Sequence, residues 1–139
     1  MTGANEQMVV GDTLRIRQSA DGHFWVEAKV NTLPVRFLID SGATTTAMTL
    51  RTAEQAGIKI SESPFPVVLV TANGSVEAQR GTIQSLQVGP MVAKDLPVVV
   101  AEEFGDSNVI GMNFLSKLGS WRVEGAEMVL EPPARVPVE

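Results

Sequence analysis

Apolar and polar positions alternate along residues 24–30, which read Phe-Trp-Val-Glu-Ala-Lys-Val. Positions 24, 26, 28 and 30 are apolar, and Glu27 and Lys29 fall between them. A period of two is typical of a β-strand with one buried face. Asn31-Thr32 predicts a turn, after which residues 35–39 return as the second arm of a hairpin that ends at Asp40.

The same kind of pattern covers most of the chain. Asn73-Gly74 stands between two apolar runs and is a strong signal for a tight hairpin. Gly125 marks the turn of a last hairpin, Pro97 favours a sheet edge or the start of a strand, and the broken alternation at Gln84-Ser85 suggests a bulge. The predicted strands are residues 24–30, 35–39, 67–71, 76–80, 82–88, 96–101, 109–110, 121–123 and 128–130.

Two short helices complete the predicted elements. Thr49 is a suitable N-cap for a helix over residues 50–56, and Gly57 suits its left-handed end. A second helix is predicted over residues 113–118, ending at Gly119. Many short strands with only two small helices predict an all-β barrel or sandwich.

Length and composition predict one domain over residues 1–139. The chain is 44% hydrophobic and 19% charged, which is typical of a globular protein with its own core. We place that core at about residues 9–131, between a frayed N-terminus up to about Gln7 and a proline-rich tail over residues 132–139. The net charge of −5 without a basic cluster argues against nucleic acid as a partner.

The scarcity of thiols and imidazoles excludes several kinds of chemistry. The sequence has no cysteine, so thiol nucleophiles, disulfides and thiolate metal sites are ruled out. His23 is the only histidine, and it follows Asp21-Gly22 as a residue of a turn or strand edge would. A Ser-His-Asp triad would depend on it, and a histidine metal cluster cannot form.

The segment Phe-Leu-Ile-Asp-Ser-Gly-Ala, residues 37–43, is the first candidate for chemistry. Asp, Ser and Gly are common in β-turns for local reasons, so Asp40-Ser41-Gly42 alone is weak evidence. Here, however, the aspartate ends an apolar strand, where we expect its carboxyl group to be at least partly buried. Gly42 is expected to give the backbone conformational freedom that a side chain would forbid.

Two further features follow in order. The hairpin around Asn73-Gly74 is either a plain surface hairpin or a flap that closes over an extended peptide. Val109-Ile110-Gly111 comes about seventy residues after Asp40 and is either a buried strand entering a helix or a second part of the site.

These three features in this order resemble the retropepsin family of aspartic proteases. Asp40-Ser41-Gly42-Ala43 resembles its Asp-Thr/Ser-Gly-Ala signature, and Val109-Ile110-Gly111 resembles its hydrophobic-hydrophobic-glycine signature. The flap position is taken by Thr71, Ala72, Asn73, Gly74 and Ser75, without the aromatic residue of many family members, because the chain has no tyrosine. The likeness is closest to bacterial single-domain members and covers roughly residues 23–131.

The resemblance implies a retropepsin-like closed β-barrel with a flap hairpin and one or two short helices, one lobe per chain. It implies an aspartic endopeptidase in which the Asp40 residues of a homodimer act together as acid and base, on a protein or peptide substrate, with no cofactor and no metal. Two close carboxyl groups share one proton, which supplies both functions. Val109, Ile110 and Gly111 should pack beneath this pair, and Ser41 should bond across to the partner chain.

Two alternatives stay open. The same barrel could serve as a catalytically silent dimerisation or peptide-binding module, because fold alone does not determine function. An unrelated small barrel that binds a sugar or a lipid would leave the ordered motifs to chance. The resemblance favours the periplasmic face of a bacterial inner membrane, with a membrane anchor outside this chain, while the lack of a long apolar run also allows a cytoplasmic location.

Overall fold

The computed structural model describes residues 7–61, 66–71, 74–102 and 107–133, and within them the fold is all-β with two short helices. The prediction of fold class is therefore confirmed. The strands are β1 (Gln7–Val10), β2 (Thr13–Arg17), β3 (Trp25–Val30), β4 (Leu33–Ile39), β5 (Thr46–Thr49), β6 (Lys59–Ile60), β7 (Val67–Thr71), β8 (Gly74–Val88), β9 (Met91–Ala101), β10 (Asn108–Ile110), β11 (Ser120–Glu124) and β12 (Glu127–Glu131), and the helices are α1 (Leu50–Ala56) and α2 (Met112–Leu115).

The larger sheet carries the core of the domain. Its strand order is β3-β4-β10-β5-β9-β8-β6, and a further pairing joins β3 to β8, so hydrogen bonds run around a ring of six strands. The predicted alternation in β3 is confirmed, because Val26, Ala28 and Val30 are buried while Glu27 and Lys29 are exposed. The turn between β3 and β4 contains Asn31 with φ of 60°, a left-handed conformation that asparagine tolerates well.

A second, four-stranded sheet has the order β1-β2-β12-β11. The sequence patterns predicted its last hairpin but not β1 and β2. Leu14 of β2 and Leu130 of β12 are partners in register and are fully buried, which ties this sheet to the common core. On β11, a hydrogen bond of 2.6 Å from Arg122 to Glu124 lowers the pKa of the Glu124 carboxyl group.

The first helix forms as its capping residues predict. Thr49 Oγ1 accepts a hydrogen bond from the Thr52 amide, and Gly57 ends the helix with φ of 68°. The second helix starts one residue earlier than predicted and stops at Leu115, because beyond it the Lys117 and Leu118 amides bond to carbonyls only three residues back. Neither helix in the described part of the chain has the length and apolar character needed to cross a membrane.

Two details of β8 and β9 differ from the prediction. Pro97 lies in the middle of β9, an interior strand between β5 and β8, rather than at an edge or a strand start. The sheet tolerates it because the parallel pairing with β5 begins only at the next residue, Val98. The register between β8 and β9 is the same on both sides of Gln84, so the suggested bulge is absent, and the local distortion is instead at Asp95, with φ of 52°.

Candidate active site

Two parallel strands bring the first and last sequence features together. Strands β4 and β10 pair in parallel register, with Ile39 opposite Ile110, so both end at the same level. The next residue, Asp40, donates its amide hydrogen to the Ile110 carbonyl oxygen at 3.0 Å. Motifs that are seventy residues apart in sequence therefore meet through main-chain hydrogen bonds at one edge of the sheet.

Asp40 begins a tight turn that its own carboxylate stabilises. The Ala43 amide donates to the Asp40 carbonyl oxygen at 3.1 Å, and the Gly42 amide donates to Asp40 Oδ1 at 2.8 Å. Gly42 does not adopt a positive φ, so the expectation that it supplies conformational freedom is wrong. Its importance is steric, since a Cβ atom there would lie 3.1 Å from Asp40 Oδ1.

The carboxyl group of Asp40 faces solvent in the single chain. The expectation that it is partly buried is wrong for the isolated chain, because Asp40 lies just beyond the end of β4 and is exposed. Ser41 and Gly42 are also exposed, whereas Ala43 is half-buried. An apolar strand thus presents an acidic group and a neighbouring hydroxyl at the surface, on a turn fixed by the hydrogen bonds just described.

The segment Val109-Ile110-Gly111 supports this turn from below. Ile110 is buried with 1% of its surface exposed and belongs to the main core. Val109 lines the cleft beside Asp40. Gly111 lies so close to the turn that an added Cβ atom would be 2.8 Å from the Ala43 carbonyl oxygen and from Thr45 backbone atoms.

A cleft of about 510 Å³ opens in front of Asp40. Its lining combines the Asp40 turn, the start of β5, strands β7 and β9, and the segment that leads into β10. Among the described residues that line it, Asp40 is the only ionisable one. The lining residues are Asp40, Gly42, Ala43, Thr44, Thr45, Ala47, Leu69, Val70, Val99, Ser107 and Val109.

The predicted flap is the hairpin of β7 and β8. The strands pair as far as Thr71 opposite Gly74, which confirms the hairpin, while Ala72 and Asn73 at its tip lie outside the described residues. Of the predicted contact residues at the tip, the described Gly74 and Ser75 are not among those that line the cleft. Leu69 and Val70, farther down the first arm, line it instead.

Leu69 connects this flap hairpin to the barrel. It packs on a small apolar cluster formed by two residues each of β8 and β9. Val99 of that cluster also lines the cleft, so the base of the hairpin and the wall of the cleft share side chains. The buried members of the cluster are Val76, Ala78, Val99 and Ala101.

Sequence patterns missed several residues of the cleft. Ala47 and Val99 lie on neighbouring strands that pair in parallel, with one directly opposite the other, and this proximity has no local signal. Thr44 and Thr45 could have been included, because they directly follow the Asp40 turn. Ser107 carried no signal that separates it from an ordinary loop residue.

His23 is not among the described residues that line the cleft. His23 is exposed, and its amide donates to Asp21 Oδ1 in a local turn, as predicted. Among residues 7–61, 66–71, 74–102 and 107–133, no three acidic or histidine side chains come close enough to hold a metal ion.

Two solved structures with a similar fold are proteases. The crystal structure of a retropepsin-like aspartic protease from Rickettsia conorii matches with a TM-score of 0.68 and 25% identity, covering 85% of this chain and 88% of that chain. The EIAV protease complexed with the inhibitor HBY-793 matches with a TM-score of 0.61 and 17% identity, covering 76% and 97%, and shows the fold alone. The fold of this chain is therefore that of the retropepsin-like aspartic proteases. The chain belongs to the family described as "gag-polyprotein putative aspartyl protease", whose model matches residues 26–117.

Two curated relatives are bacterial proteins without an assigned activity. An uncharacterized protein in the cobV 5' region of Sinorhizobium sp is 30% identical over 116 residues, which cover 83% of this chain and 50% of that protein. An uncharacterized protein of Rickettsia prowazekii is 28% identical over 121 residues, covering 87% and 52%. The chain therefore spans about half the length of the curated relatives it matches.

Proposed function

We propose that this chain is an aspartic endopeptidase that acts as a homodimer, with Asp40 of each chain in a shared active site. The observation that carries the proposal is the exposed Asp40 carboxyl group, held by the Gly42 amide at the mouth of a cleft beside the flap hairpin. Family membership supports the same chemistry.

The chemistry itself calls for a second carboxyl group. Hydrolysis of a peptide bond needs a base that activates water and an acid that protonates the departing amine or the carbonyl oxygen. Asp40 is the only ionisable group among the described lining residues, and one carboxyl group cannot be both protonated and ionised. A second copy of the chain, related by a two-fold axis, supplies the missing partner.

Pairing also gives the exposed groups of the turn a role. In the dimer, Asp40 would be covered by its counterpart, and the exposed Ser41 hydroxyl would bond to the backbone of the partner chain. Such a contact would fix the two turns relative to each other. The buried Ile110 beneath them would keep the pair on a rigid apolar support.

The pH dependence of cleavage should be bell-shaped, with its maximum on the acid side of neutrality. At high pH both carboxyl groups are ionised and no acid remains, whereas at low pH both are protonated and no base remains. Only the singly protonated pair is active. We would measure kcat/KM against pH with an unfolded protein or a quenched peptide as substrate.

The same assay tests the proposed class of activity. A transition-state-mimicking inhibitor of aspartic proteases should block cleavage at the pH of maximum activity. A rate that continues to rise well above neutral pH would refute the carboxyl pair. A folded dimer that binds peptide but never cleaves it would favour a silent peptide-binding module.

A further inference from the structure

Buried polar side chains are rare in the described part of the chain, where Thr46 and Asn108 are the two that are buried. Thr46 is completely inaccessible to solvent. Burying a hydroxyl group costs free energy unless it is hydrogen-bonded, and valine would fill nearly the same space without that cost. The hydroxyl group of Thr46 therefore needs a reason in the structure.

The contacts of Thr46 show what its hydroxyl group does. Thr46 Oγ1 accepts a hydrogen bond from the Gly111 amide at 3.2 Å and donates one to Asn113 Oδ1 at 2.8 Å. The Thr46 amide donates to the same Asn113 oxygen at 2.9 Å. Thr46 thus satisfies an amide at the start of α2 and holds the Asn113 side chain in one orientation.

Asn113 extends the network to a third element. Its Nδ2 atom donates to the Pro97 carbonyl oxygen at 2.7 Å, in the middle of β9. Thr46 lies on β5 and Asn113 on α2, so these two side chains join two strands and a helix at one point. Both polar atoms of the Asn113 side chain, Oδ1 and Nδ2, have hydrogen-bond partners, and so does the Thr46 hydroxyl group.

The same residues hold the Asp40 turn in place. The Met112 amide donates to the Ala43 carbonyl oxygen at 2.7 Å, and the Asn113 amide donates to the Thr44 carbonyl oxygen at 3.0 Å. The end of the turn is therefore bonded to the segment that the Thr46–Asn113 pair fixes. Neither Thr46 nor Asn113 lines the cleft, so any effect on chemistry passes through the backbone.

We propose that Thr46 and Asn113 are positioning residues that set the orientation of the Asp40 carboxyl group by fixing residues 43–44 against the start of α2. The proposal rests on the proposed function for its effect on catalysis. Small displacements of a reacting group lower the rate steeply, since about 1 Å of misplacement can cost on the order of a hundredfold. Binding of the substrate depends on the whole cleft and is affected less.

The first test is the nearly isosteric change Thr46→Val. It removes the hydroxyl group and leaves the Gly111 amide without its acceptor. We expect kcat to fall by about tenfold to a hundredfold while KM changes by less than about twofold. Thr46→Ser keeps the hydroxyl group and should restore kcat, and Thr13→Val, a partly buried threonine of the other sheet, should leave kcat unchanged.

A second variant keeps the test decisive if Thr46→Val does not fold. Asn113→Ala removes the acceptor shared by the Thr46 amide and hydroxyl groups, and it should lower kcat in the same way. Because both residues act through one network, the double variant should be little worse than either single variant. If the fall in kcat of the double variant equalled the product of the two single-variant falls, the two residues would act separately, which would overturn the proposal.

A readout that does not depend on cleavage separates this proposal from the proposed function. The Gly42 amide bonds to Asp40 Oδ1, so its hydrogen exchange, followed by NMR, reports on the orientation of the carboxyl group. Thr46→Val should speed exchange at Gly42 and Gly111 but not at Val129 in the other sheet. Unchanged exchange at Gly42 together with wild-type kcat would overturn the positioning role. If the wild-type chain cleaves nothing, the proposed function fails, and faster Gly42 exchange in the variant would still support the positioning role.

Discussion

Asp40→Asn is expected to abolish cleavage, with kcat lower by at least about a thousandfold. Asparagine has almost the same shape, and its side-chain oxygen can still accept the hydrogen bond from the Gly42 amide. It cannot, however, exchange a proton with water or with the departing amine. Folding should be preserved because the side chain is exposed, so circular dichroism and the thermal midpoint should stay close to those of the wild type.

The matched control for this variant is Asp12→Asn. Asp12 is an exposed aspartate in the turn between β1 and β2, away from the cleft, and its amidation should leave kcat unchanged. Mixing adds a stricter check, because an excess of Asp40→Asn chains should suppress wild-type activity by forming mixed dimers. Undiminished cleavage by pure Asp40→Asn protein would refute the assignment of Asp40.

Gly111→Ala is expected to have the second largest effect. A methyl group at this position would stand 2.8 Å from the Ala43 carbonyl oxygen and from backbone atoms of Thr45. Backbone cannot move aside as a flexible side chain can, so the Asp40 turn would have to shift. We expect a loss of about 2–3 kcal/mol in the free energy of unfolding, typical of overpacking, together with a large fall in kcat.

Gly125→Ala separates this steric effect from the general cost of replacing glycine. Gly125 has φ of 61° and no atom near the position of an added Cβ, so alanine there causes only backbone strain of about 1 kcal/mol. Urea denaturation would compare the two variants, and the activity of each would be corrected for the folded fraction. If Gly111→Ala and Gly125→Ala lowered the free energy of unfolding equally, and Gly111→Ala kept the wild-type kcat, the tight contact between Gly111 and the Asp40 turn would be contradicted.

Sequence patterns predicted those elements whose signals are local. The hairpin of β3 and β4 follows from alternation and a turn dipeptide, and α1 follows from the cap at Thr49 and the glycine at its end. The Asp40 turn and the flap hairpin were also readable, because each is formed by neighbours in sequence. These elements were predicted because the residues that stabilise them lie within a few positions of one another.

What the sequence did not predict depends on contacts between distant segments. Three of the four residues of strand β1 are exposed, so it has little alternation to identify it, and it forms by pairing with β2. Pro97 was expected at a sheet edge or at the start of a strand, because the pairing of β9 with β5, which begins one residue later at Val98, has no local signal. The role of Thr46 was equally hidden, since its partner Asn113 is 67 residues away.

Two Asp40 turns should meet in the proposed dimer, and a disulfide crosslink tests this most directly. The chain has no cysteine, so Ser41→Cys introduces a single thiol per chain beside Asp40. Two cysteines can form a disulfide only when their Cα atoms approach within about 7 Å. Mild oxidation should rapidly give a covalent dimer of Ser41→Cys, while the exposed control Ser116→Cys stays monomeric under denaturing conditions. Crosslinking of folded Ser41→Cys no faster than that of Ser116→Cys would contradict a shared site between two chains.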